Sequence, residues 1–374
     1  MKDLKIGIIR DGPPGCPGGV IARELFLNLR NNLNIEEVMC IRLRESRKIR
    51  WNTPPTRIIT YRTKHLRDSQ LLWKLPRYDL YHFQSHVFSS LIKHRRPSIA
   101  TAIDLIPLKG GFYSGTHLEA VRRSFQFFKD AEQIIAISQS TKKDLIELLD
   151  INPQKIKVIY LGVNHEIYRM RNRKEAKRTL GLPEDKRILL NVGTENKNKN
   201  IKGLIKVFHR LQKRFKDLML IRVGLPSNEI TDLIAKLGLA EKALRVGFIA
   251  GPPSLYYNAS ELYICADLLG GFGMPNLEAM ASGCPVVSSR TGAFPEVVGD
   301  AGLFFDPQNE DDIFEKVARL LEDDGLREEY ARKGLERAKL FSWKKMADET
   351  MKVYAKVARE YYGKNVSIPE EREG

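Results

Sequence analysis

The sequence predicts an α/β protein of two domains, each built on a parallel β-sheet with crossover helices. Strand-like apolar runs alternate with helix-period segments from one end of the chain to the other, which is the pattern typical of such sheets. The length of 374 residues exceeds the usual size of a single hydrophobic core. The alternation also starts anew near the middle of the chain, so we expect one domain from each half.

In the first half, a strand-like run at 4–9 leads into a loop rich in glycine and proline at 12–19. A helix should follow, because Ile21, Leu25 and Leu29 recur at i, i+4 and i+8 and so share one face. Later strands are predicted at 79–83, 99–103, 133–137 and 156–160.

The second half repeats the pattern with a strand at 188–193, a polar loop and an amphipathic helix. Five apolar residues share one face of that helix at 3.6-residue spacing: Ile201, Leu204, Ile205, Phe208 and Leu211. Residues 162–181 are rich in charge and are predicted to link the halves. Residues beyond about 363 are predicted to form a frayed tail.

Positive charge is concentrated in one segment of a chain whose net charge is +16. The region Arg42–Arg96 holds fourteen Lys and Arg residues against three acidic residues. A positive field this localised indicates an anionic partner, either an acidic membrane surface, a lipid-phosphate acceptor or nucleic acid. The alternative is a charged surface of the kind that thermophilic proteins carry.

Other sequence features bear on location and on metal binding. No apolar run approaches the roughly 18–20 residues that a membrane-spanning helix needs, and the N-terminal residues lack the apolar core of a signal peptide. The four cysteines form no C-x-x-C pair, which argues against a zinc site or a disulfide framework. We therefore expect a cytoplasmic protein, soluble or peripheral on the inner face of the membrane.

A glycine-rich loop at 270–273 carries the most specific signal. It follows a predicted strand at 262–266 and precedes a helix that should start near Pro275 and end at Gly283. Glycines let backbone amides approach a phosphate, and a helix start adds about half a positive charge. Glu278, one turn into the helix, could accept hydrogen bonds from ribose hydroxyls.

Two familiar nucleotide-binding classes fit this loop poorly. Gly271 and Gly273 form only half of the G-x-G-x-x-G fingerprint, because Asn276 stands where the third glycine belongs, which argues against a nicotinamide-dependent dehydrogenase. The chain also contains no G-x-x-x-x-G-K-[ST] sequence, which argues against a P-loop NTPase.

The segment 270–287 resembles the C-terminal signature of the retaining GT-B glycosyltransferases of family 4 (group 1). Segments 134–145, 157–164, 192–200, 293–302 and 341–343 resemble further parts of that family, so the resemblance covers nearly the whole chain. It implies two Rossmann-like domains facing across a central cleft: an acceptor-side domain at 1–165 and a nucleotide-sugar domain at 166–345. Residues 346–374 would form a helix that crosses back to the N-terminal domain, and a flexible tail.

The resemblance also implies where the donor binds. Segment 192–200 looks like the family's diphosphate-binding loop, in which Lys199 falls on the lysine position, Asn198 replaces the preceding basic residue and Lys197 could substitute for it. Gly18 and Gly19 match the family's paired glycines. The donor-binding residues implied in this way are Gly18, Gly19, Gly193, Thr194, Lys197, Lys199, Gly271, Phe272, Gly273, Met274, Asn276, Leu277 and Glu278.

Two positions depart from the family pattern. Gly270 stands where a first glutamate is common, eight residues before Glu278, and Ile103 stands where a histidine usually precedes Asp-Leu. Both changes fall on the sugar side of the implied site. Asp104, and His86 after the strand at 79–83, are the replacement polar groups, so the catalytic candidates are Asp104, Lys199 and His86.

The implied reaction moves a hexose of the mannose or glucose type from a nucleoside-diphosphate sugar to a hydroxyl of a glycan or lipid-linked acceptor, with retention of configuration. No cofactor is expected beyond the donor substrate, and no metal, because no Asp-x-Asp pair marks a metal site. One alternative is a non-catalytic or atypical-donor homologue that binds sugar nucleotide or glycan. The other is a nucleic-acid-binding protein, for which no RNP, KH or zinc-finger pattern is present; we expect no specific nucleic-acid partner.

Overall fold

The computed structural model describes residues 4–10, 17–31, 33–42, 57–61, 72–111, 114–247, 249 and 253–363. The chain forms two compact units, Met1–Gly162 with Trp343–Gly374, and Val163–Ser342. These divisions lie three residues before the ends predicted from sequence at 165 and 345. Each unit contains a parallel sheet with helices, which confirms the α/β class.

The first unit contains a seven-stranded sheet among its described residues. Its strands are β1 (Lys5–Arg10), β2 (Asn34–Arg42), β3 (Arg57–Tyr61), β4 (Leu80–Phe83), β5 (Ser98–Ala102), β6 (Gln133–Ala136) and β7 (Ile156–Val158). Its first helices are α1 (Pro17–Leu29), α2 (Gly115–Gln126) and α3 (Gln139–Leu149), with 3₁₀ turns at His86–His94, Ile106–Leu108, Phe127–Asp130 and Pro153–Lys155.

The strand order of this sheet is β3-β2-β1-β4-β5-β6-β7, and the neighbouring strands pair in parallel. Chain order reverses between β1 and β4, the kind of switch point at which parallel sheets bind ligands. Most of the strands carry buried apolar residues, as expected of strands covered on both faces; Ile9, Phe83 and Ile134, for example, are at most 1% exposed.

The structure corrects two details of the first half. Gly18 and Gly19 lie in the first turn of α1, not in the preceding loop, because Pro17 has the fixed φ that suits a helix start. Strands β2 and β3 were not predicted: β2 has charged residues at Glu36 and Glu37, which interrupt its apolar run.

The described residues of the second unit form a six-stranded sheet with the same kind of order, β10-β9-β8-β11-β12-β13. Its strands are β8 (Arg187–Val192), β9 (Leu218–Val223), β10 (Ala243–Val246), β11 (Leu262–Cys265), β12 (Val286–Ser289) and β13 (Gly302–Phe305). Its helices are α4 (Arg173–Thr179), α5 (Ile201–Arg214), α6 (Asn228–Lys236), α7 (Ser254–Ala259), α8 (Met274–Ala281), α9 (Phe294–Val298), α10 (Glu310–Glu322) and α11 (Asp324–Ala338).

The amphipathic helix predicted in this half is α5, and its apolar stripe is buried in the core of the unit, which confirms the prediction. The boundary between the units follows Gly162, at the start of the linker predicted at 162–181. The rest of that segment belongs to the second unit and contains α4, where Lys177 is buried in an ion pair with Glu261 (Nζ–Oε1, 3.2 Å). Its many charges indicated solvent exposure, but one of them is a buried, paired charge.

The last helix, α12 (Trp343–Tyr362), packs against α1 of the first unit. His82 on β4 is 1% exposed, and its Nδ1 lies 2.7 Å from the Tyr354 hydroxyl of α12. Its Nε2 lies 2.7 Å from the Thr101 hydroxyl on β5. Both ring nitrogens therefore have partners, and burial lowers the pKa of His82 to about 3. This neutral network joins the C-terminal helix to the middle of the sheet.

The basic region Arg42–Arg96 lies partly outside the described residues, at 43–56 and 62–71. Where it is described, several of its cations pair with acids: Arg57 with Glu36 (3.4 Å), and Lys93 with Asp130 (3.9 Å). In the part of the chain that the structure describes, no helix is both long enough and apolar enough to cross a membrane.

We predict that His82 makes stability depend on pH. The unfolded chain, with a histidine pKa near 6.5, binds a proton more readily than the folded protein does. The contribution of His82 is therefore complete above about pH 6.5 and is lost as pH falls towards 3, by up to about 1.4 kcal/mol per pH unit. Denaturant unfolding between pH 4 and 8 measures this slope.

The matched variants are His82→Gln, which should flatten the slope, and His94→Gln at an exposed position, which should retain it. Equal slopes in the parent and in His82→Gln would contradict this assignment.

Candidate functional site

The loops that follow β8 and β11, the two middle strands of the second unit, are joined to each other. The Leu268 amide donates to the Asn198 carbonyl oxygen at 2.7 Å. The Lys199 Nζ lies 2.5 Å from Oδ2 of Asp267. Chain order reverses between these strands, so the joined loops lie where open parallel sheets bind ligands.

The loop after β8 contains four of the predicted donor-binding residues. The Gly193 amide donates to Val223 of β9 at 2.9 Å, while Thr194 and Lys197 are exposed. Lys199 is 31% exposed at its side chain and is held by Asp267. Of the two lysines, Lys199 is therefore the one that the fold fixes in position.

A buried charge cluster lies beneath this loop and was not predicted from sequence. Arg222 of β9 is 2% exposed and donates to Asn191 Oδ1 and to the Gly193 carbonyl oxygen, both at 2.8 Å. The Glu195 carboxylate lies 3.7 Å from the Arg222 Nε and 2.9 Å from the Arg245 Nη2. The guanidinium of Arg222 thus fixes the backbone from which the loop departs.

The two carboxylates of this cluster have opposite pKa shifts. Burial raises the pKa of Asp267, which Lys199 partly offsets. Burial acts to raise the pKa of Glu195 as well, but hydrogen bonds from Ser227 and Arg245 outweigh it and lower the pKa. Glu195 is therefore a firmly ionised anchor, whereas Asp267 depends on its cationic neighbours.

The glycine-rich loop begins α8 as predicted. Gly273 occupies the N-cap with φ of 87°, which favours glycine, and Pro275 lies in the first turn. The Asn276 and Leu277 amides both donate to the Gly273 carbonyl oxygen, at 2.9 and 3.2 Å. An anion cradle would therefore be formed by the amides of Gly271–Gly273 and the very start of α8, where Met274 is half-buried.

Several predicted contact residues of this segment have side chains in the core. Phe272 is 4% exposed and meets Phe341 edge to face, with ring centroids 6.1 Å apart. Leu277 and Asn276 are fully buried, and the Asn276 Nδ2 donates to Ser288 at 3.3 Å. These residues can contact a ligand at this loop through the backbone only.

Glu278 is held by two tyrosines. The Tyr257 hydroxyl donates to Oε2 of Glu278 at 2.9 Å, and Tyr168 hydrogen-bonds to the same carboxylate. Burial raises the pKa of Glu278, and the two hydroxyls oppose this shift. A carboxylate has about four acceptor positions, so the pair of tyrosines orients Glu278 and leaves capacity for ribose hydroxyls.

An aromatic ring occupies the space next to Gly270, the position where the family commonly has glutamate. A Cβ added at Gly270 would lie 2.6 Å from the Phe294 ring, and one at Gly273 would lie 2.8 Å from it. Phe294, the first residue of α9, is 1% exposed. The absence of a side chain at 270 is therefore matched by a large side chain at 294.

In the first unit, Gly18 lies beside the residues that follow β4 and β5. A Cβ on Gly18 would lie 3.3 Å from both the Gln84 carbonyl oxygen and the Ile103 Cδ1; Gly19 is buried beside it in α1. Asp104 follows β5, and its Oδ1 accepts from the Ile106 amide at 3.2 Å.

His86 follows β4 and stacks on Phe125, with ring centroids 4.3 Å apart. In the part of the chain that the structure describes, no group of three or more His, Cys, Asp or Glu side chains could hold a metal ion.

Sequence reasoning missed Arg222, Asp267, Phe294 and the tyrosines Tyr168 and Tyr257. A signal was available for two of them: Arg222 interrupts an apolar strand, and Asp267 directly follows one, both at the carboxyl edge where ligands bind. The tyrosines and Phe294 are distant in sequence from the residues they contact, and single-sequence patterns carry no such information.

Comparison with known proteins identifies the class. The family described as "Glycosyl transferases group 1" matches residues 172–337, and "Glycosyltransferase Family 4" matches residues 28–167. An uncharacterized glycosyltransferase of Methanocaldococcus jannaschii is 28% identical over 303 residues, 77% of each chain. The O-antigen chain mannosyltransferase B of Escherichia coli is 34% identical over 171 residues, which is 44% of this chain and 45% of that protein.

The fold is also found among solved structures. Anabaena HepE in complex with UDP and glucose matches with a TM-score of 0.77 and 18% sequence identity, covering 94% of this chain and 99% of that one. The chain belongs to the group 1 glycosyltransferases of the family 4 type and has their GT-B fold. It is a glycosyltransferase, which confirms the class of enzyme that its sequence predicts.

We predict that Gly270→Ala destabilises the protein by about 1–3 kcal/mol, because the new methyl group would overlap the buried Phe294 ring. Replacing that ring by the smaller leucine side chain, in the double variant Gly270→Ala/Phe294→Leu, should recover part of the lost stability. The free energies of unfolding of the parent, the two single variants and the double variant give the coupling energy between positions 270 and 294.

The control is Gly325→Ala, where the added methyl meets only Asp323, at an ordinary 3.5 Å. This substitution lies in helix α11 and should be neutral or stabilising. Additive effects at positions 270 and 294 would contradict the packing assignment.

Proposed function

We propose that the protein transfers a hexose of the mannose or glucose type from a nucleoside-diphosphate sugar to an acceptor hydroxyl, with retention of anomeric configuration. The observation that carries this proposal is the placement of Lys199 and the Gly271–Gly273 loop at one switch point. Among the relatives, one is a mannosyltransferase and one structure holds UDP and glucose. Both support a hexose donor carried on a nucleoside diphosphate.

The main catalytic device in this proposal is electrostatic. Negative charge develops on the diphosphate as its bond to the anomeric carbon breaks, and preorganised cations and amides stabilise that charge best. Lys199 is held in place by Asp267, and the Gly271–Gly273 amides precede the positive end of α8. These groups would take the place of Mg²⁺, so we expect turnover to persist in EDTA.

Glu278 would bind the ribose. Its carboxylate is oriented by Tyr257 and Tyr168 one helical turn beyond the glycine loop. That spacing allows one ligand to contact both the loop, through its phosphates, and the carboxylate, through its ribose. Thr194, Gly193 and Lys197 would complete the nucleotide side.

The acceptor in this proposal is a glycan or a lipid-linked glycan. One relative is named for the O-antigen chain, and the basic region Arg42–Arg96 has the charge to meet a lipid phosphate or an acidic membrane surface. We propose Asp104 and His86, with Gly18 and Gly19, as the residues of the first unit that contribute to the reaction. A peripheral position on the inner face of the membrane follows from the same charge.

A second candidate function is sugar-nucleotide or glycan binding without turnover. It is favoured by the apolar groups at the two atypical positions, where Ile103 contacts Gly18 and Phe294 covers Gly270. A protein of this kind would bind nucleoside diphosphates and leave every donor intact.

We predict that Lys199→Met lowers kcat/KM by about 10²–10³-fold, because a fixed cation beside the leaving group is lost. The measurement is release of nucleoside diphosphate from a panel of UDP-, GDP- and ADP-hexoses. Lys202→Met is the matched control: Lys202 lies three residues further on, is exposed and pairs with Glu229. Equal activity in the two variants would remove Lys199 from the reaction.

We predict that Glu278→Gln weakens binding of nucleoside diphosphates about three- to tenfold while leaving inorganic pyrophosphate binding unchanged. The reason is that an amide accepts fewer hydrogen bonds than a carboxylate, and pyrophosphate has no ribose. Calorimetry with both ligands tests this, with Glu310→Gln, whose side chain is 40% exposed, as control. An equal loss for both ligands would instead show that Glu278 only shapes the loop.

A further inference from the structure

Asp267 is the acidic residue of the segment 266–273, and it lies two residues after the end of β11. Its side chain is 5% exposed, and its Oδ2 lies 2.5 Å from Nζ of Lys199, whose side chain is 31% exposed. The ammonium group therefore has a buried anion beside it, while part of the lysine side chain is accessible to solvent. The carboxylate fixes the position of the cation and also neutralises part of its charge.

Charges alternate in sign from Asp267 into the core. Arg222 stabilises the ionised form of Asp267 electrostatically, Glu195 pairs with Arg222, and Arg245 pairs with Glu195. Three cations and two carboxylates give this cluster a net charge of +1. Removing the Asp267 charge would leave +2 under the loop after β8.

A diphosphate product carries several negative charges, so a cation without a counter-charge would hold it tightly before and after the reaction. Binding that is equally strong in substrate and product lowers KM without raising kcat, and it slows product release. A carboxylate beside Lys199 reduces the attraction between the lysine and the diphosphate in both substrate and product. The lysine stays in a fixed position, where it can stabilise the charge that develops in the transition state.

We propose that Asp267 is a positioning residue and counter-charge for Lys199, which holds the ammonium group and limits how tightly the diphosphate product is bound. This inference rests on the proposed function of Lys199. In this proposal the Asp267 carboxylate acts on the diphosphate through Lys199. Asp267 lies three residues before Gly270 in the sequence.

The test is Asp267→Asn, which keeps the size and a hydrogen-bond acceptor while removing the charge. We expect the affinity for nucleoside diphosphate, measured by calorimetry, to rise about three- to tenfold. We also expect kcat to fall and product inhibition to increase. A merely structural role would give the opposite sign for affinity, because a disordered loop binds less well.

The matched control is Glu261→Gln. Glu261 precedes the same strand at its other end and forms a similarly buried ion pair with Lys177, with side chains 7% and 5% exposed. The chemical change is the same, but the diphosphate loop is at the opposite end of β11, so this variant should not tighten diphosphate binding. Equal affinities in the two variants, or weaker binding in Asp267→Asn, would overturn the inference.

A double-mutant cycle with Lys199→Met separates this inference from the proposed function. In the Lys199→Met background, Asp267→Asn should no longer raise the affinity; persistence of the increase would overturn the inference. Should Asp267→Asn fail to fold, Asp267→Ser removes the same charge with a smaller polar side chain. A parent protein that binds no nucleoside diphosphate would overturn both proposals, whereas binding that Asp267 variants do not tighten overturns only this one.

Discussion

The ion pair between Lys199 and Asp267 joins the ends of β8 and β11, and the geometry of the proposed diphosphate site depends on it. Burying the Asp267 carboxylate has an energetic cost that its cationic neighbours must offset. The backbone hydrogen bond from the Leu268 amide to the Asn198 carbonyl oxygen holds the two loops together, so that Lys199 lies beside Asp267. The loop after β8 is therefore positioned by electrostatics and backbone pairing together, since its own residues are largely polar and cannot pack into a core.

Packing, not charge, shapes the loop around Gly270 in the second unit, which is the sugar side of the proposed site. The Phe294 ring lies against both Gly270 and Gly273, so the backbone of the glycine loop is supported by an aromatic face. A glutamate at 270 would have to displace this buried ring, so the departure from the family pattern goes together with a large aromatic side chain at 294. In the proposed function, recognition of sugar hydroxyls therefore depends on other groups, because position 270 has no side chain and position 294 has no polar atom in its side chain.

Much of the fold could be predicted from sequence, because periodicity and glycine placement are local signals. The strands near 4–9, 133–137 and 188–193 and the helix with Ile201 to Leu211 are present within one or two residues. Strand β2 was missed because Glu37 in it pairs with a buried arginine, and 162–181 was taken for a linker although Lys177 in it is buried. These two errors share one physical cause: a buried charge cannot be distinguished from a solvated one until its partner, distant in sequence, is known.

For the same reason, the sequence does not reveal that the two units contain similar buried clusters of one carboxylate and two arginines. In the first unit the Glu37 carboxylate, on β2, binds Arg10 at 2.7 Å and Arg23 at 3.2 Å. In the second unit Glu195, after β8, binds Arg222 on β9 and Arg245 on β10. Each unit thus buries one carboxylate between two guanidiniums beside its first strand, but the acid and the base have exchanged strands. A buried carboxylate is tolerated when cations offset the cost of removing it from water, and each arrangement supplies two guanidinium groups for this. This electrostatic requirement does not depend on which strand supplies the acid, so the two units can meet it without any repeated motif.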